Sequence, residues 1–524
     1  MNGAWRTLLL MTHRWLGIAG CVLFVAWFFS GIVMMYARMP EIANEERLSR
    51  APALDLSTAA RSPADIAGAL GIGAERLTVG MLGNRPVYRF GGRDQLTVYA
   101  DTGDFFEGID RAQAEAIASR FAPGHDGPLR YAAYLTEPDQ WTLQAGGQLP
   151  IHRFALDDEA GTLIDVSEVT GQAVLRSTAR ERFWAWLGPV THWLYFTPLR
   201  RNGPLWSEVV IWSSLAGCVM CITGLLWGLL RWSPRARYRV KGMAAATPYT
   251  GLMKWHHYAG LLFGLFALTW TYSGLLSMGP FDWFASDGAA SVNRDAATGG
   301  PLRAEALTLD SMRAAMAAVS PAFVVRELEV MQFRGEPHWV IPKPLSPPQA
   351  DQWLEAGLRP RAARPRLERH YVSAIHPERG AFTRFDPDAF PQIARDAMPG
   401  AGIQDEVWLT AYDGYYYDLS GTRSLPVLRV RYTDAAGSWL YLDPARGGIV
   451  QYYDRVTRLQ RWLYQGLHSL DFPFIYFTRP LWDVVVIALS VGGLAISVTT
   501  LLPAYRRLRR HGAWMLQVAL RRQR

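Results

Sequence analysis

The chain has 524 residues, with 54 Lys+Arg against 46 Asp+Glu for a formal net charge of +8, and only 3 Cys. Its mean hydropathy is zero, yet the apolar residues are gathered into four long runs and the charges lie almost wholly outside them. Runs of roughly 20 apolar residues have the length of a membrane span, so a purely soluble protein is excluded. Disorder is excluded too, since 50% of the residues are hydrophobic and 12% are aromatic.

In chain order, the run 16–36 predicts a spanning helix over 8–36. Arg6 and Arg14 flank it as they would a signal peptide. The run is too long for one, however, and Tyr36-Ala-Arg-Met-Pro40 follows it in place of a small-x-small cleavage site. It reads as a retained anchor. An exported segment, 37–182, and an aromatic, Pro-broken interfacial helix, 183–204, precede a second span at 205–231. The loop 232–252 leads to a third span at 253–279. A second exported segment, 280–458, a second interfacial helix, 459–480, a fourth span, 481–503, and a tail, 504–524, complete the chain.

The loop carries Arg235, Arg237, Arg239 and Lys241 just after Arg231, and the tail carries Arg506, Arg507, Arg509, Arg510, Arg521, Arg522 and Arg524. The positive-inside rule puts both, and hence the N-terminus, in the cytoplasm. The exported segments then lie outside, which in a bacterium with an inner membrane is the periplasm. The basic charge is accounted for by these inner-face segments and does not argue for nucleic acid. Cys21, Cys218 and Cys221 all sit inside spans, so neither exported segment can carry a disulfide. Cys218-Val-Met-Cys221 has redox spacing, but an apolar setting makes a thiol inert, and packing is the preferred reading.

The chain repeats itself. A shift of 243 aligns His13 with His256, Gly17 with Gly260, Trp27 with Trp270 and Ser30-Gly31 with Ser273-Gly274. A shift of 276 aligns Leu149-Pro150 with Leu425-Pro426, Arg153 with Arg429, His192 with His468 and Pro204-Leu205-Trp206 with Pro480-Leu481-Trp482. This reads as an internal tandem duplication of helix, exported domain and helix, in one orientation, about an axis along the membrane normal. The exported domains read as α+β, with tight turns at Tyr99–Gly103, Ser167–Gly171, His376–Gly380 and Asp443–Gly447. Helical stretches are predicted over 110–121 and 309–319, and two small sheet-plus-helix lobes are expected in each copy.

Of eleven His, the repeat pairs His13 with His256 and His192 with His468. Ionisable side chains in or beside spans are costly and usually functional. The topology puts the first pair near the inner face and the second near the outer face, each across the bundle centre. Facing imidazoles are a usual way to hold a six-coordinate b-type haem, and without C-x-x-C-H a covalent c-type haem is excluded. The plainer reading is that each is a snorkelling or hydrogen-bonded histidine. Zinc is disfavoured, because no third or fourth ligand clusters at either face. His257 adjoins His256 and is an alternative ligand, although it aligns with Arg14. His125, His152, His338, His370, His376 and His511 have no His counterpart and read as surface or turn residues. Trp27 and Trp270 lie mid-span and read as packing. Tyr415-Tyr-Tyr417 with Asp413 and Asp418 forms an aromatic-acidic cluster, a ligand surface or strand packing.

His13-Arg-Trp-Leu-Gly17, Tyr412-Asp-Gly-Tyr-Tyr-Tyr417, Leu442-Asp-Pro444 and Arg461-Trp-Leu-Tyr-Gln-Gly-Leu-His-Ser-Leu-Asp-Phe472 together resemble the PepSY-associated transmembrane family. The resemblance covers most of the chain and implies a four-helix membrane bundle with two periplasmic α+β PepSY-like domains. It further implies an inner-membrane ferric-siderophore reductase of the FoxB type, with two b haems held by His13, His256, His192 and His468. Such a protein passes electrons from a quinol or a cytoplasmic reductant to a ferric siderophore or other iron chelate in the periplasm. The first copy has His192-Trp-Leu-Tyr195 where the second has His468-Ser-Leu-Asp471. A substrate surface is placed near Tyr416, Arg429 and Asp471. No G-x-G-x-x-G follows a strand, so the donor is a separate molecule. Two rival readings are a non-enzymatic PepSY membrane protein that binds peptide or regulates a peptidase, and an iron or siderophore permease. The latter is disfavoured, since Glu208 and Asp483 lie only at span ends.

Overall fold

The computed structural model describes residues 3–91, 96–125, 127–286, 288–320, 322–344, 367–418 and 422–522, with side chains to Trp514. Arg521, Arg522 and Arg524 of the basic tail therefore lie outside the described side chains. The chain divides into two compact units. One comprises Met1–Arg38, Phe183–Ala285 and Leu459–Arg524, the other Met39–Arg182 and Ser286–Arg458.

The first unit is built on four helices, Gly3–Met34, Gly203–Arg231, Gly251–Leu276 and Leu481–Arg522, each long and apolar enough to cross a bilayer. They pack in cyclic order, each against its two neighbours in the sequence and the fourth against the first. Val22, Leu226, Leu262, Leu265 and Val484 face outward. Such exposure suits lipid, where helices satisfy their backbone internally and need no polar cover. Small residues let the helices approach closely. A Cβ on Gly217 would lie 3.0 Å from the Phe24 ring, and one on Gly493 2.4 Å from the Phe28 ring.

The fourth helix does not stop where the apolar run ends. It continues through Pro503 to Arg522, because the residues beyond are mostly Arg, Leu and Ala, all good helix formers. The loop after the second helix contains a hairpin, Tyr238–Val240 with Met243–Ala245. Its two turn residues, Lys241 and Gly242, have φ of 52° and 82°, as a primed two-residue turn requires.

The two Pro-broken interfacial segments are likewise irregular. Each holds one π-helical turn, Trp186–Val190 in one and Trp462–Gly466 in the other. Each then reverses at a leucine in the left-handed region, Leu194 (φ 52°) and Leu470 (φ 49°).

The second unit differs from the expectation of two lobes in each of two separate domains. The hairpins 77–99 and 328–373 do not form separate sheets. Leu77–Leu82 pairs antiparallel with Leu328–Phe333, matching Thr78 to Glu329 and Val79 to Leu328, and the result is one six-stranded sheet. A three-stranded sheet alone would expose an open edge on each side, and joining the two removes one edge from each. The helices Pro63–Leu70 and Leu309–Val319 cover this sheet, with Ile66, Met312 and Ala315 packed on Val79, Tyr88 and Trp339. Capping boxes at Ser62/Asp65 and Thr308/Ser311 start the two helices.

Two four-stranded antiparallel meanders complete the unit, 130–177 and 403–453, each joined in simple sequence order. The helix Arg111–Ser119 packs Ala114 and Ile117 on the first, and Phe390–Ala397 packs Phe390 and Ile393 on the second. The predicted turns are present, closing on Gly103, Gly171, Gly380 and Gly447, all at positive φ.

In the first meander Arg153 lies opposite Asp165 on the next strand. Its Nε and Nη2 donate to the two Asp165 oxygens at 2.7 Å, and its Nη1 donates to Asp139 at 2.6 Å. Burial opposes ionisation of Asp139, and the Arg153 guanidinium overrides it, holding the carboxyl below its ordinary value. Deleting one member of such a set leaves a buried charge unpaired, which costs about 3–5 kcal/mol, whereas an apolar replacement of both costs far less. Arg153→Met is therefore expected to melt well below the wild type, with Arg153→Met/Asp165→Leu in between. Thermal unfolding of the full-length protein in detergent reads the order.

Candidate functional site

Within the membrane unit the four repeat-paired histidines form two facing pairs. The His13 and His256 rings lie 6.1 Å apart between centres, tilted by 35°, and the His192 and His468 rings lie 6.1 Å apart at 67°. A metal–imidazole bond is about 2.0 Å long, so two imidazoles sharing one metal ion in trans have ring centres roughly 6 Å apart. Both pairs meet that separation. Ser30, which touches His192, follows His13 by 17 residues on one helix, about 25 Å along its axis. The two pairs thus sit toward opposite ends of the bundle.

The hydrogen bonds assign the tautomers. His13 Nδ1 bonds to the Met220 carbonyl at 2.9 Å, and His256 Nδ1 to the Ile496 carbonyl at 3.0 Å. A carbonyl only accepts, so each Nδ1 carries the proton and each Nε2 keeps its lone pair. Thr223 and Thr499 donate to those same two carbonyls. At the other pair His192 Nδ1 bonds to Ser30 Oγ at 3.0 Å, and His468 Nδ1 to Ser273 Oγ at 3.1 Å. Both serine hydroxyls spend their proton on a main-chain carbonyl, of Trp27 and Trp270. They accept from Nδ1, which again frees Nε2. Ring orientation and tautomer set by the second nitrogen's partner are the usual supports of a metal-binding imidazole.

His257, the alternative to His256, is arranged differently. Its Nε2 meets the Gly228 carbonyl at 2.9 Å and its Nδ1 meets Thr247 Oγ1 at 2.8 Å. The first bond requires Nε2–H and the second engages Nδ1, so no lone pair is left for a metal. His256 is the ligand candidate, and His257 anchors the second helix to the loop before the third.

Glycines make room beside the pairs. A Cβ on Gly260 would meet nothing within 4 Å, and one on Gly31 or Gly274 would meet only the His192 or His468 ring edge, at 3.7 and 3.6 Å. A cavity of about 870 Å³ lies in the second unit, and one of about 830 Å³ surrounds His13 and His256. The latter is within the range of small-molecule and cofactor sites, roughly 300–1,000 Å³. Phe24 and Phe28 line its side toward the other pair. From there Phe24 contacts Trp27 at 5.6 Å and Phe28 contacts Trp270 at 6.0 Å between ring centres. Trp27 Nε1 donates to the His192 carbonyl. The two mid-span tryptophans therefore pack, as expected, and they fill the space between the pairs.

Among the described residues no three His, Cys, Asp or Glu gather as a metal cluster. Each pair brings two imidazoles face to face and no third side-chain ligand with them. Cys218 and Cys221 of the C-x-x-C are free thiols on the second helix, Cys218 buried and Cys221 half-buried, and both read as packing residues.

The three residues expected at a substrate surface are divided between the two units. Tyr416 and Arg429 belong to the second unit and Asp471 to the first. Tyr416 is fully buried, stacked on Tyr441 at 5.3 Å with its hydroxyl on the Ser424 carbonyl. Asp413 organises this cluster, accepting from the Tyr416 amide, the Tyr441 hydroxyl and Arg429. Burial and that carboxylate push the Tyr441 hydroxyl well above its ordinary range. Asp471 is buried too, paired with Arg461 at 3.3 Å. The aromatic-acidic motif is thus strand packing around a half-buried carboxylate, and neither Tyr416 nor Asp471 itself stands on an open surface.

Sequence reading overlooked the residues that hold the histidines. Ser30 and Ser273 lay inside the aligned blocks, and Met220/Ile496 and Thr223/Thr499 obey the same 276-residue spacing. Trp206 and Trp482 do so as well, and their Nε1 groups donate to the residue after each far-end histidine, the Trp193 and Ser469 carbonyls, at 2.8 Å.

Four long apolar helices with imidazole pairs toward both ends, in a chain that also carries an α+β unit, define a helical membrane protein. The family model described as the PepSY-associated TM region matches residues 10–507, and the chain belongs to that family. No curated protein matches the chain.

A Cβ on Gly224 would lie 2.4 Å from the His13 ring, and no neighbour there can give way without moving it. Gly224→Ala is expected to destabilise the protein by about 1–3 kcal/mol through overpacking, and Gly68→Ala, which meets open space, to change it little. Thermal unfolding in detergent separates them.

Proposed function

We propose that the protein is a di-haem inner-membrane electron carrier that reduces ferric siderophores or other ferric chelates on the outer side of the membrane. The observation that carries this reading is the matched pair of imidazole sites, each at 6.1 Å, with every Nδ1 bonded within the protein. Haem, when bound, supplies a reversible one-electron couple at each site. His13 with His256, and His192 with His468, would be its axial ligands.

The chain's own residues do the rest. The Met220 and Ile496 carbonyls and the Ser30 and Ser273 hydroxyls orient the imidazoles and raise their basicity. Phe24, Phe28, Trp27 and Trp270 keep water out of the space between the sites. The basic loop and tail support cytoplasmic termini by the positive-inside rule, and the second unit then lies in the periplasm. A quinol or a cytoplasmic reductant is the donor. One electron delivered to a ferric chelate leaves a ferrous chelate, and the softer, less charged ion is held less tightly by hard oxygen donors. An internal duplication accounts for the shared spacing of the ligands and of their hydrogen-bond partners, and for the two meanders of equal strand order.

A second reading, peptide binding by the exported unit, has one observation in its favour. The edge strand Gly448–Tyr453 borders the cavity of about 870 Å³ in that unit, and an extended peptide can add to a free strand edge.

An optical spectrum of purified protein, oxidised and then dithionite-reduced, tests the first reading. A low-spin b-type spectrum with about two haems per chain is expected. His13→Ala and His468→Ala should each remove a different haem, and His257→Ala should remove neither. A protein expressed with ample haem that shows no Soret band would sink the reading.

A further inference from the structure

Among the described residues, the cavity that contains His13 and His256 is lined by four arginines, Arg14, Arg506, Arg507 and Arg510, and by no Asp or Glu. Arg14 is the residue after His13. The other three lie on the fourth helix, beyond the Ile496 carbonyl that holds His256. Ile496 to Arg507 spans 11 residues, about 16 Å of helix, so the arginines rim the end of the cavity nearest the chain termini. Phe24 and Phe28 line its opposite side.

No carboxylate side chain can neutralise this rim from within the membrane unit. Residues 1–40, 209–281 and 484–524 contain no Asp or Glu at all. Arg507 instead lies over the Trp15 ring at 6.0 Å, and Arg14 donates to the Met11 sulfur. Four like charges around one cavity repel unless an anion sits among them, and guanidinium forks match carboxylates bidentately.

We propose that the arginine rim is the carboxylate-binding half of this site, so that the porphyrin held by His13 and His256 is taken as a dicarboxylate with both propionates turned toward the chain termini. This rests on the haem reading above. The apolar half of the cavity then faces the porphyrin's hydrocarbon edge, and the charged half its acid edge, which gives the group a single orientation.

The test uses full-length His468→Ala protein, stripped of haem and reloaded in detergent with iron protoporphyrin IX or with its dimethyl ester, each titration followed at the Soret band. With the arginines intact, the free diacid should bind tighter than the diester by about tenfold or more, the worth of one charge-assisted hydrogen bond. In Arg14→Gln/Arg507→Gln that ratio should fall toward one, and Arg14→Lys/Arg507→Lys should restore part of it and serve as the folding control. Comparing ratios cancels the ester's greater apolarity.

A ratio that does not respond to the arginines would overturn the proposal. The rim would then serve lipid phosphate, which nanodiscs of phosphatidylcholine with and without phosphatidylglycerol reveal as arginine-dependent retention of the anionic lipid. Failure of both porphyrins to give a low-spin spectrum would refute the haem reading itself, and the rim proposal with it. A low-spin spectrum indifferent to the arginines refutes the rim alone.

Discussion

The proton on each Nδ1 is the constraint on which the membrane unit's chemistry depends. In the apolar interior of a bundle an imidazole N–H must find an acceptor, because no water replaces a missing one. His13 finds it on the second helix and His256 on the fourth. The two ligand candidates stand on the first and third helices, diagonal in the ring, and are each steadied by a neighbouring helix. Helix register and ligand geometry are therefore one property: a slide of one residue along either interface would withdraw the carbonyl and free the ring to turn. At the far pair the acceptor is a serine on the spanning helix and the histidine is on the irregular segment. The same lock is made there with donor and acceptor elements exchanged.

The second unit solves a different problem with similar economy. Its three sheets must be held together without a disulfide. Joining two hairpins through Leu77–Leu82 and Leu328–Phe333 creates a single sheet whose core runs across both halves of the sequence. The halves cannot then come apart without exposing Val79, Leu328 and Trp339. The meanders carry polar residues as paired sets, Arg153 with Asp139 and Asp165 in one and Asp413 with Tyr441 and Arg429 in the other. Buried charges of this kind hold strand register, since a shift of one residue would unpair them.

Much of this was legible in the sequence, and the limits have physical causes. Hydropathy located four spanning helices, because length and apolarity are local properties. The repeat spacing picked out the four histidines, because their partners share that spacing. The choice between His256 and His257 was not legible. It depends on whether a ring nitrogen is already taken, and Gly228 and Thr247 come from segments whose approach no periodicity encodes. The joining of hairpins into one sheet was hidden for the same reason, being a pairing between residues some 250 apart in the chain. Whether the tyrosine cluster packs or faces a ligand was not legible, because tyrosines beside aspartates suit both. The turn at Asp413 brings that carboxylate to the Tyr416 amide and to the buried Tyr441 hydroxyl, which needs an acceptor.

The two imidazole sites share ligand chemistry but not surroundings. At the far end Arg461 is paired with Asp471, and Arg479 with Asp483, so these two cations are neutralised within the chain. The residues 276 positions before Arg461 and Asp471 are Ala185 and Tyr195, so the buried ion pair flanks only the His468 side. At the termini end the arginines lack any carboxylate of their own. Trp27 donates to the His192 carbonyl, and for Trp270 no such partner is found among the described residues. For the proposed electron carrier such differences are functional requirements. Two sites alike in ligands, hydrogen bonds and local charge would have equal potentials, and an electron would have no preferred end. Local charge and burial are the protein's levers on potential once the ligands are chosen. In the proposed carrier, histidines kept at one spacing with different ions around them would give the electron a direction.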